Sequence, residues 1–536
     1  MADFIKIYKM SKSFNYLPDF ILDGAIMYTD KGLYIAKAFD RELYILPKMA
    51  NRHGLIAGAT GTGKTVSLKV LAESFSDMGV PVIMADVKGD LAGMVRAGGD
   101  NASIGERVSE FGLLEKGFTY KAFPTCFWDL FAKKGLPLRT TISEFGPLLL
   151  AKLLDLNQVQ SDILNIVFKI ADDEGLLLID IKDLKAMLNY VSENSAQYKA
   201  EYGNISSQSV AAIMRAVVAL SDRGAEEFFG EPALNIRDWM RTTLDSRAYI
   251  NIIDASSLIQ DTLAYSTFML WMLSELFETM PEVGDLEKPK MVFFFDEAHL
   301  LFKNTPKAMM QKIEQVMKLI RSKGIGIYFI SQSPGDIPGE ILAQLGNKIQ
   351  HALRAYTAAE QKAVKAAVQS YRVNPNLDTQ KAITELGIGE ALVSFIQEDG
   401  SPDMVERAYI LPPQSYLGAI GEEERRSVIV GSDLYHKYIE IEDRDSAYEF
   451  LSRVNEAREN EKLSDKESKE RAKEEEKDKK RMARNIKSVG NTAVGTIGRE
   501  VGNALGSSVG GRFGKKLGGN VGASLARGIF KTIFKF

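Results

Sequence analysis

The chain of 536 residues contains one cysteine, Cys126, and four histidines. A single cysteine excludes an internal disulfide and any multi-cysteine metal site, and it fits a reducing compartment. In "PTCFWDL" it reads as a small buried apolar residue. His53, His299, His351 and His436 show no metal-ligand spacing among themselves. Neither sign of charge is in large excess. The formal net charge of −4 excludes a protein coated in positive potential, while leaving local basic patches open. No apolar run approaches the roughly 18 residues of a membrane span. "MADFIKIYKM" has neither the basic n-region nor the apolar h-region of a secretory signal. These absences lead to the expectation of a cytoplasmic protein. What is present is ordinary for a globular chain: 45% hydrophobic and 26% charged residues, with length for roughly two to four domains.

Residues 1–50 read as a small N-terminal β segment, with "GLYIAKAF" and "ELYILP" either side of the polar turn "DRE". From residue 51 short apolar runs alternate with helical periodicity, the rhythm of βαβ units and a mostly parallel sheet. "HGLIAG", "VPVIMAD", "AYINIID", "MVFFFD" and "GIYFISQ" are the strand candidates. The expected fold is α/β, its core in two parts, residues 51–130 and 244–412, interrupted by a helical insertion over 131–243. "EALVSFIQEDGSPDMVERAYILPP" reads as a hairpin turning at Asp399–Gly400. Residues 413–485 form a charged helical linker, whose run from 452 to 484 is a solvated helix or a disordered connector. Residues 486–536 make a glycine-rich basic tail.

The stretch from Gly58 to Thr65, "GATGTGKT", satisfies G-x-x-x-x-G-K-[ST] between a predicted strand and a predicted helix. Its glycines let successive N–H groups turn inward as an anion nest at the positive end of the helix. The nucleotide-binding set is Gly58, Ala59, Thr60, Gly61, Thr62, Gly63, Lys64 and Thr65. In it Lys64 reaches the β- and γ-phosphates and the Thr65 hydroxyl ligates Mg²⁺. ATP and Mg²⁺ are the expected cofactors.

Hydrolysis needs a carboxylate for the metal and a group for the attacking water. "MVFFFDEAHLLF" offers Asp296 for Mg²⁺ and Glu297 as general base, where the strand's carboxyl end meets the ligand edge of a doubly wound sheet. Both also read as acidic N-cap residues, a role compatible with the first. Gln332, ending "GIYFISQ", reads as a γ-phosphate sensor or as an ordinary strand-end amide. Arg321, in the last turn of "IEQVMKLIRSKGIG", reads as an arginine finger given to a neighbouring subunit. The plainer reading is a cation suited to a helix C-terminus. Arg354 in "HALRAY" is a secondary phosphate candidate or a salt-bridge residue. "DEAH" at 296–299 invites comparison with superfamily 2 RNA helicases. The chain has "SQS" where those carry a "SAT"-type motif, and it lacks their late arginine-rich element. His299 is then a local packing or hydrogen-bonding residue.

"LPKMANRHGLIAGATGTGKT", "DVKGDL", "KPKMVFFFDEAHLLF", "IRSKGIGIYFISQSPGDIP" and "LGNKIQHALRAYT" together resemble the HerA-type members of the HerA/FtsK ATPase superfamily, nearest the bacterial YjgR-like branch. The resemblance runs from about residue 15 to residue 412. It implies a RecA-like P-loop ATPase core and a homo-oligomer. Relatives in the superfamily are hexameric rings that translocate duplex DNA, while for the YjgR-like branch the resemblance leaves the substrate, DNA among the candidates, open. Lys64, Asp296, Glu297, Arg321 and Gln332 fall on the matching motif positions. The N-terminal barrel of archaeal HerA is reduced here to under 50 residues, so partner nuclease binding does not carry over. Two functions compete: a DNA-pumping ring motor, and a nucleotide-regulated assembly or scaffold ATPase acting on protein or membrane partners.

From Gly498 to Gly522 a glycine recurs every fourth residue, each preceded by an apolar residue. Eight basic residues against one acid, Glu500, follow from Lys487 onward. One expectation is a conditional helix, ordered on self-association or on an anionic membrane. The other is a floppy tail, since interior glycines disfavour helix.

Overall fold

The computed structural model describes residues 27–258, 261–303, 305 and 307–486. Almost all of the glycine-periodic tail, from residue 487, and the first 26 residues therefore lie outside the described residues. The chain divides into two compact units. Of the described residues, one takes 27–140, 149–155 and 222–442, and the other 141–148, 156–221 and 443–486.

The first unit is built on a sheet of thirteen strands among the described residues. In chain order they are β1 (Tyr28–Thr29), β2 (Gly32–Ala38), β3 (Glu42–Ile45), β4 (Gly54–Ala57), β5 (Val82–Asp86), β6 (Thr125–Asp129), β7 (Leu136–Pro137), β8 (Ile250–Asp254), β9 (Met291–Phe295), β10 (Ile325–Ser331), β11 (Asn347–Gln350), β12 (Glu390–Ser394) and β13 (Glu406–Ile410). Their spatial order is β1-β2-β13-β12-β11-β4-β10-β9-β5-β8-β6-β7, with β3 on β2. Every pairing from β11 to β7 is parallel. Strands β4, β5, β8, β9 and β10 are buried along their whole length. That is why they read as unbroken apolar runs rather than as alternation: a parallel sheet is covered on both faces. Helix α1 (Lys64–Asp77) leaves β4 and leads to β5, packing Phe75 on Phe294 and Tyr328 at 6.2 and 5.8 Å between ring centroids. Between β4 and β5 lie β10 and β9, so their carboxyl ends gather on one edge beside the loop before α1. This is an α/β core with a mostly parallel sheet, the G-x-x-x-x-G-K-T segment joining β4 to α1.

Two core strands differ from the sequence reading. In β6, "TCFWD" is too short an apolar run to stand out, although Cys126 is buried within it and burial pushes its thiol up to about 11. In β11, "NKIQ" looks too polar for a central strand. Its buried Asn347 is tolerated because its amide donates to the carbonyls of Met49 and His53 and accepts from the Ile396 N–H. A satisfied polar side chain costs the core little. The β-rich stretch near the N-terminus joins the main sheet through Ala38 opposite Ala408. β12 and β13 form the expected antiparallel pair, the chain reversing with Gly400 at φ 81°.

The second unit is helical in its described residues. Gln158–Glu174 starts in a capping box of Asn157 and Gln160 and stops at Gly175, φ 69°. Ile181–Glu193 starts in a capping box of Asp180 and Asp183. The charged run is a helix, Ala447–Ile486, of 40 residues. Among its described side chains, only Ala447 and Leu451, in the first turns, are buried. The rest is held by the high helix propensity of Glu, Lys, Arg and Ala and by pairs such as Glu476–Lys480 at 2.6 Å. Among the described residues no helix is long and apolar enough to cross a membrane.

Candidate nucleotide site

The loop between β4 and α1 bends where its glycines allow it. Gly58, Gly61 and Gly63 have φ of 152°, 81° and 116°, values that L side chains rarely adopt. At Gly58 a Cβ would also sit 2.6 Å from the His351 Cβ. The start of the loop is tied to its neighbours: Gly58 N–H donates to Ser331 O, which ends β10, and Ala59 N–H to Ala352 O, just beyond β11, at 3.3 and 2.9 Å. Gly63 caps α1 with no side-chain hydrogen bond. The first N–H groups of that helix have no intrahelical acceptor either, so they face the loop as anion donors. Lys64 Nζ closes the ring by donating to the Gly58 and Ala59 carbonyls at 2.6 and 3.0 Å. Burial, and after it the nearby charge of Lys88, holds this ammonium below its ordinary value, with Glu297 and Asp296 opposing.

A buried histidine braces the loop from below. His351 Nδ1–H donates to Glu390 O at 3.0 Å, leaving Nε2 to accept from Ser67 Oγ–H at 2.7 Å. Burial holds this ring near a pKa of about 4, so it is a neutral strut. Nothing in the sequence marks His351 for this role, because Ser67 and Glu390 are distant in the chain.

The acidic pair stands on the same carboxyl edge. Asp296 directly follows β9, which is separated from β4 by β10 alone. At ordinary strand spacing that puts it about 10 Å across from the loop. Its Oδ1 accepts the Glu297 N–H at 2.9 Å, and its carbonyl accepts the Tyr265 hydroxyl. Burial and then the Glu297 charge push its carboxyl up to about 7. Glu297 has φ 47°, a left-handed backbone unusual for a side chain of this size. Its two oxygens face Lys88 Nζ at 3.9 Å and His299 Nδ1 at 3.4 Å. The donor set suits a polyphosphate with its cation: free helix N–H groups and an ammonium for the anion. The raised carboxyl of Asp296 is one that a divalent ion would hold ionised.

Gln332 follows β10 and is exposed on this edge, two residues beyond the level at which Asp296 sits. Arg354 is exposed beyond β11. Arg321 is not brought to the others. It precedes β10, whose seven residues span roughly 20 Å, and so lies on the opposite, amino edge, with Asp285 at 3.7 Å.

In the sequence "DVKGDL" carries only a resemblance; the structure gives it a place. Asp86 ends β5, the neighbour of β9. Its carboxylate accepts from the N–H groups of Lys88, Gly89 and Leu91 at 3.3, 2.6 and 3.2 Å. The available signal was a charged cluster directly after a buried strand.

A family model described as "Helicase HerA-like C-terminal" matches residues 32–535. The chain belongs to this family. Among solved structures the HerA-like chain is similar to VirB4 of Thermoanaerobacter pseudethanolicus, with 14% identity, 71% of this chain and 97% of that one covered, and a TM-score of 0.43. It is also similar to the bacterial conjugative coupling protein TrwBdeltaN70 in an unbound form, at 14% identity, 74% and 93% coverage and a TM-score of 0.46. The plasmid coupling protein TrwB in complex with ADP and Mg²⁺ gives 14% identity, 70% and 88% coverage and a TM-score of 0.44. No curated protein matches the chain.

Proposed function

We propose that this HerA-like protein is an Mg²⁺-dependent ATPase that assembles as a ring, hexameric in form, and moves duplex DNA. The observation that carries the reading is the placement of Asp296 and Glu297 on the edge of the glycine loop, one strand across from it. Residues 58–65 hold the phosphates through N–H groups and the Lys64 ammonium. Thr65 and Asp296 would hold the metal, which would supply positive charge to offset that of the polyphosphate. Glu297 takes a proton from water as the water oxygen bonds to the γ-phosphorus and the bond to the β,γ-bridging oxygen breaks. Gln332 orients that water or senses the γ-phosphate. Arg321, on the far edge, serves the site of a neighbouring subunit, since its own loop is out of reach.

The test is ATP turnover with and without duplex DNA across a salt series. Several-fold stimulation that fades with added salt supports the motor, because phosphate contacts release counterions. Turnover unaffected by DNA at any salt would overturn the DNA role. It would favour a nucleotide-regulated assembly protein instead.

A further inference from the structure

Lys88 has no role in the site as described so far, yet the loop that carries it is held in place by one carboxylate. Three backbone N–H groups wrap the loop Asp86–Leu91 around one carboxylate, and Gly89 turns it with φ 78°. β5 runs parallel beside β9 with Met84 opposite Phe294, which sets Asp86 level with Asp296. From that mount the half-exposed Lys88 ammonium lies 3.9 Å from Glu297 Oε1. It is also near enough to Lys64 and Asp296 to bias both electrostatically. An ion pair at this distance is loose. The Glu297 carboxylate is meanwhile turned toward Lys88 and His299 by a left-handed backbone.

We infer that Lys88 exchanges partners: it pairs with Glu297 when no triphosphate is present, and moves to the γ-phosphate when ATP binds, leaving Glu297 free to accept the proton from water. This rests on the ATPase reading above. The driving force is charge. A terminal phosphate offers more negative charge and more acceptor oxygens than one carboxylate, and charge-assisted bonds to it are the stronger. Lys88 is thereby a residue that distinguishes ATP from ADP and couples triphosphate binding to release of the base. ADP, which lacks the γ-phosphate, leaves the Lys88–Glu297 pair in place.

The experiment measures equilibrium binding of ATP and ADP, each with Mg²⁺, to the full chain as wild type, Lys88→Met, Lys88→Arg, Glu297→Gln and the double variant Glu297→Gln/Lys88→Met. Lys88→Met should weaken ATP roughly tenfold, the size of one lost charge-assisted bond, and leave ADP unchanged. Lys88→Arg should recover part of that loss. Glu297→Gln should tighten ATP several-fold, because Lys88 no longer has to leave a carboxylate, and the double variant should lose this gain. Equal weakening of ATP and ADP in Lys88→Met would make Lys88 a mere anchor of its loop and overturn the exchange. An unchanged ATP-to-ADP ratio would do the same. Failure of the wild-type chain to bind either nucleotide would instead overturn the ATPase reading itself.

Discussion

At the scale of single residues, two carboxylates and two cations share one edge of the sheet, and the chemistry follows from which of them is charged. Lys64 is the one ammonium fastened inside the loop, by the carbonyls of Gly58 and Ala59. Lys64→Ala should therefore abolish ATP hydrolysis and weaken ATP binding, as read by turnover and by equilibrium binding. Glu297→Gln keeps shape while removing basicity. It should hold ATP yet lower turnover by roughly 10²-fold or more, and wild-type turnover in this variant would refute the assignment of the base. His53 gives a pH prediction independent of the site. Its Nδ1 accepts the Ile327 N–H and its Nε2–H donates to Met317 O, both at 3.0 Å. A second proton would set donor against donor. Burial, with the Arg321 charge adding, lowers its pKa to about 4 from an ordinary 6.5. Between those values the unfolded chain binds the proton and the folded chain does not, so stability falls as pH drops through this window. For a difference of this size the loss is roughly 2–3 kcal/mol by pH 4.5. His53→Gln, followed by denaturant unfolding at pH 7 and 4.5, should flatten the pH dependence by about that amount.

At the scale of elements, the P-loop strand and its helix were the most legible part of the chain, because apolar run, glycine spacing and helical pattern agree locally. Polar ties across long sequence distances were the least legible. Asp183 is the example in the helical unit. Fully buried, it accepts from Ile179 N–H and Asp180 N–H on one oxygen and from Ser446 Oγ–H and Tyr448 N–H on the other. It caps Ile181–Glu193 and fastens the start of the helix Ala447–Ile486 at once. In the sequence it appears only as one acid in "LIDIKDLK". Asp183→Ala leaves several buried donors unpaired and should cost roughly 2–4 kcal/mol. Asp183→Asn should cost less. Chemical denaturation followed by circular dichroism measures both.

At the scale of the whole molecule, the separation of Arg321 from its own loop is what makes an assembly testable. Arg321→Ala should bind ATP normally as a subunit and lose turnover in the oligomer. Mixing it with Lys64→Ala, which keeps Arg321, should restore part of the turnover at mixed interfaces. No recovery in a verified mixed oligomer would place Arg321 in a cis or structural role.

What the sequence determined by itself is everything written in local pattern. The parallel α/β class, the glycine loop and the acidic pair at a strand end each depend on residues within a few positions of one another. Tertiary structure alone decided what depends on distant residues meeting. It brought "NKIQ" into a central strand by satisfying Asn347 from Met49, His53 and Ile396. It set Lys88 beside Glu297 by pairing β5 with β9. It put His351 under Ser67 by laying β11 along β4. Periodicity reports which face of an element is buried, whereas strand order and register choose the partners, and the chemistry of the edge is a matter of partners.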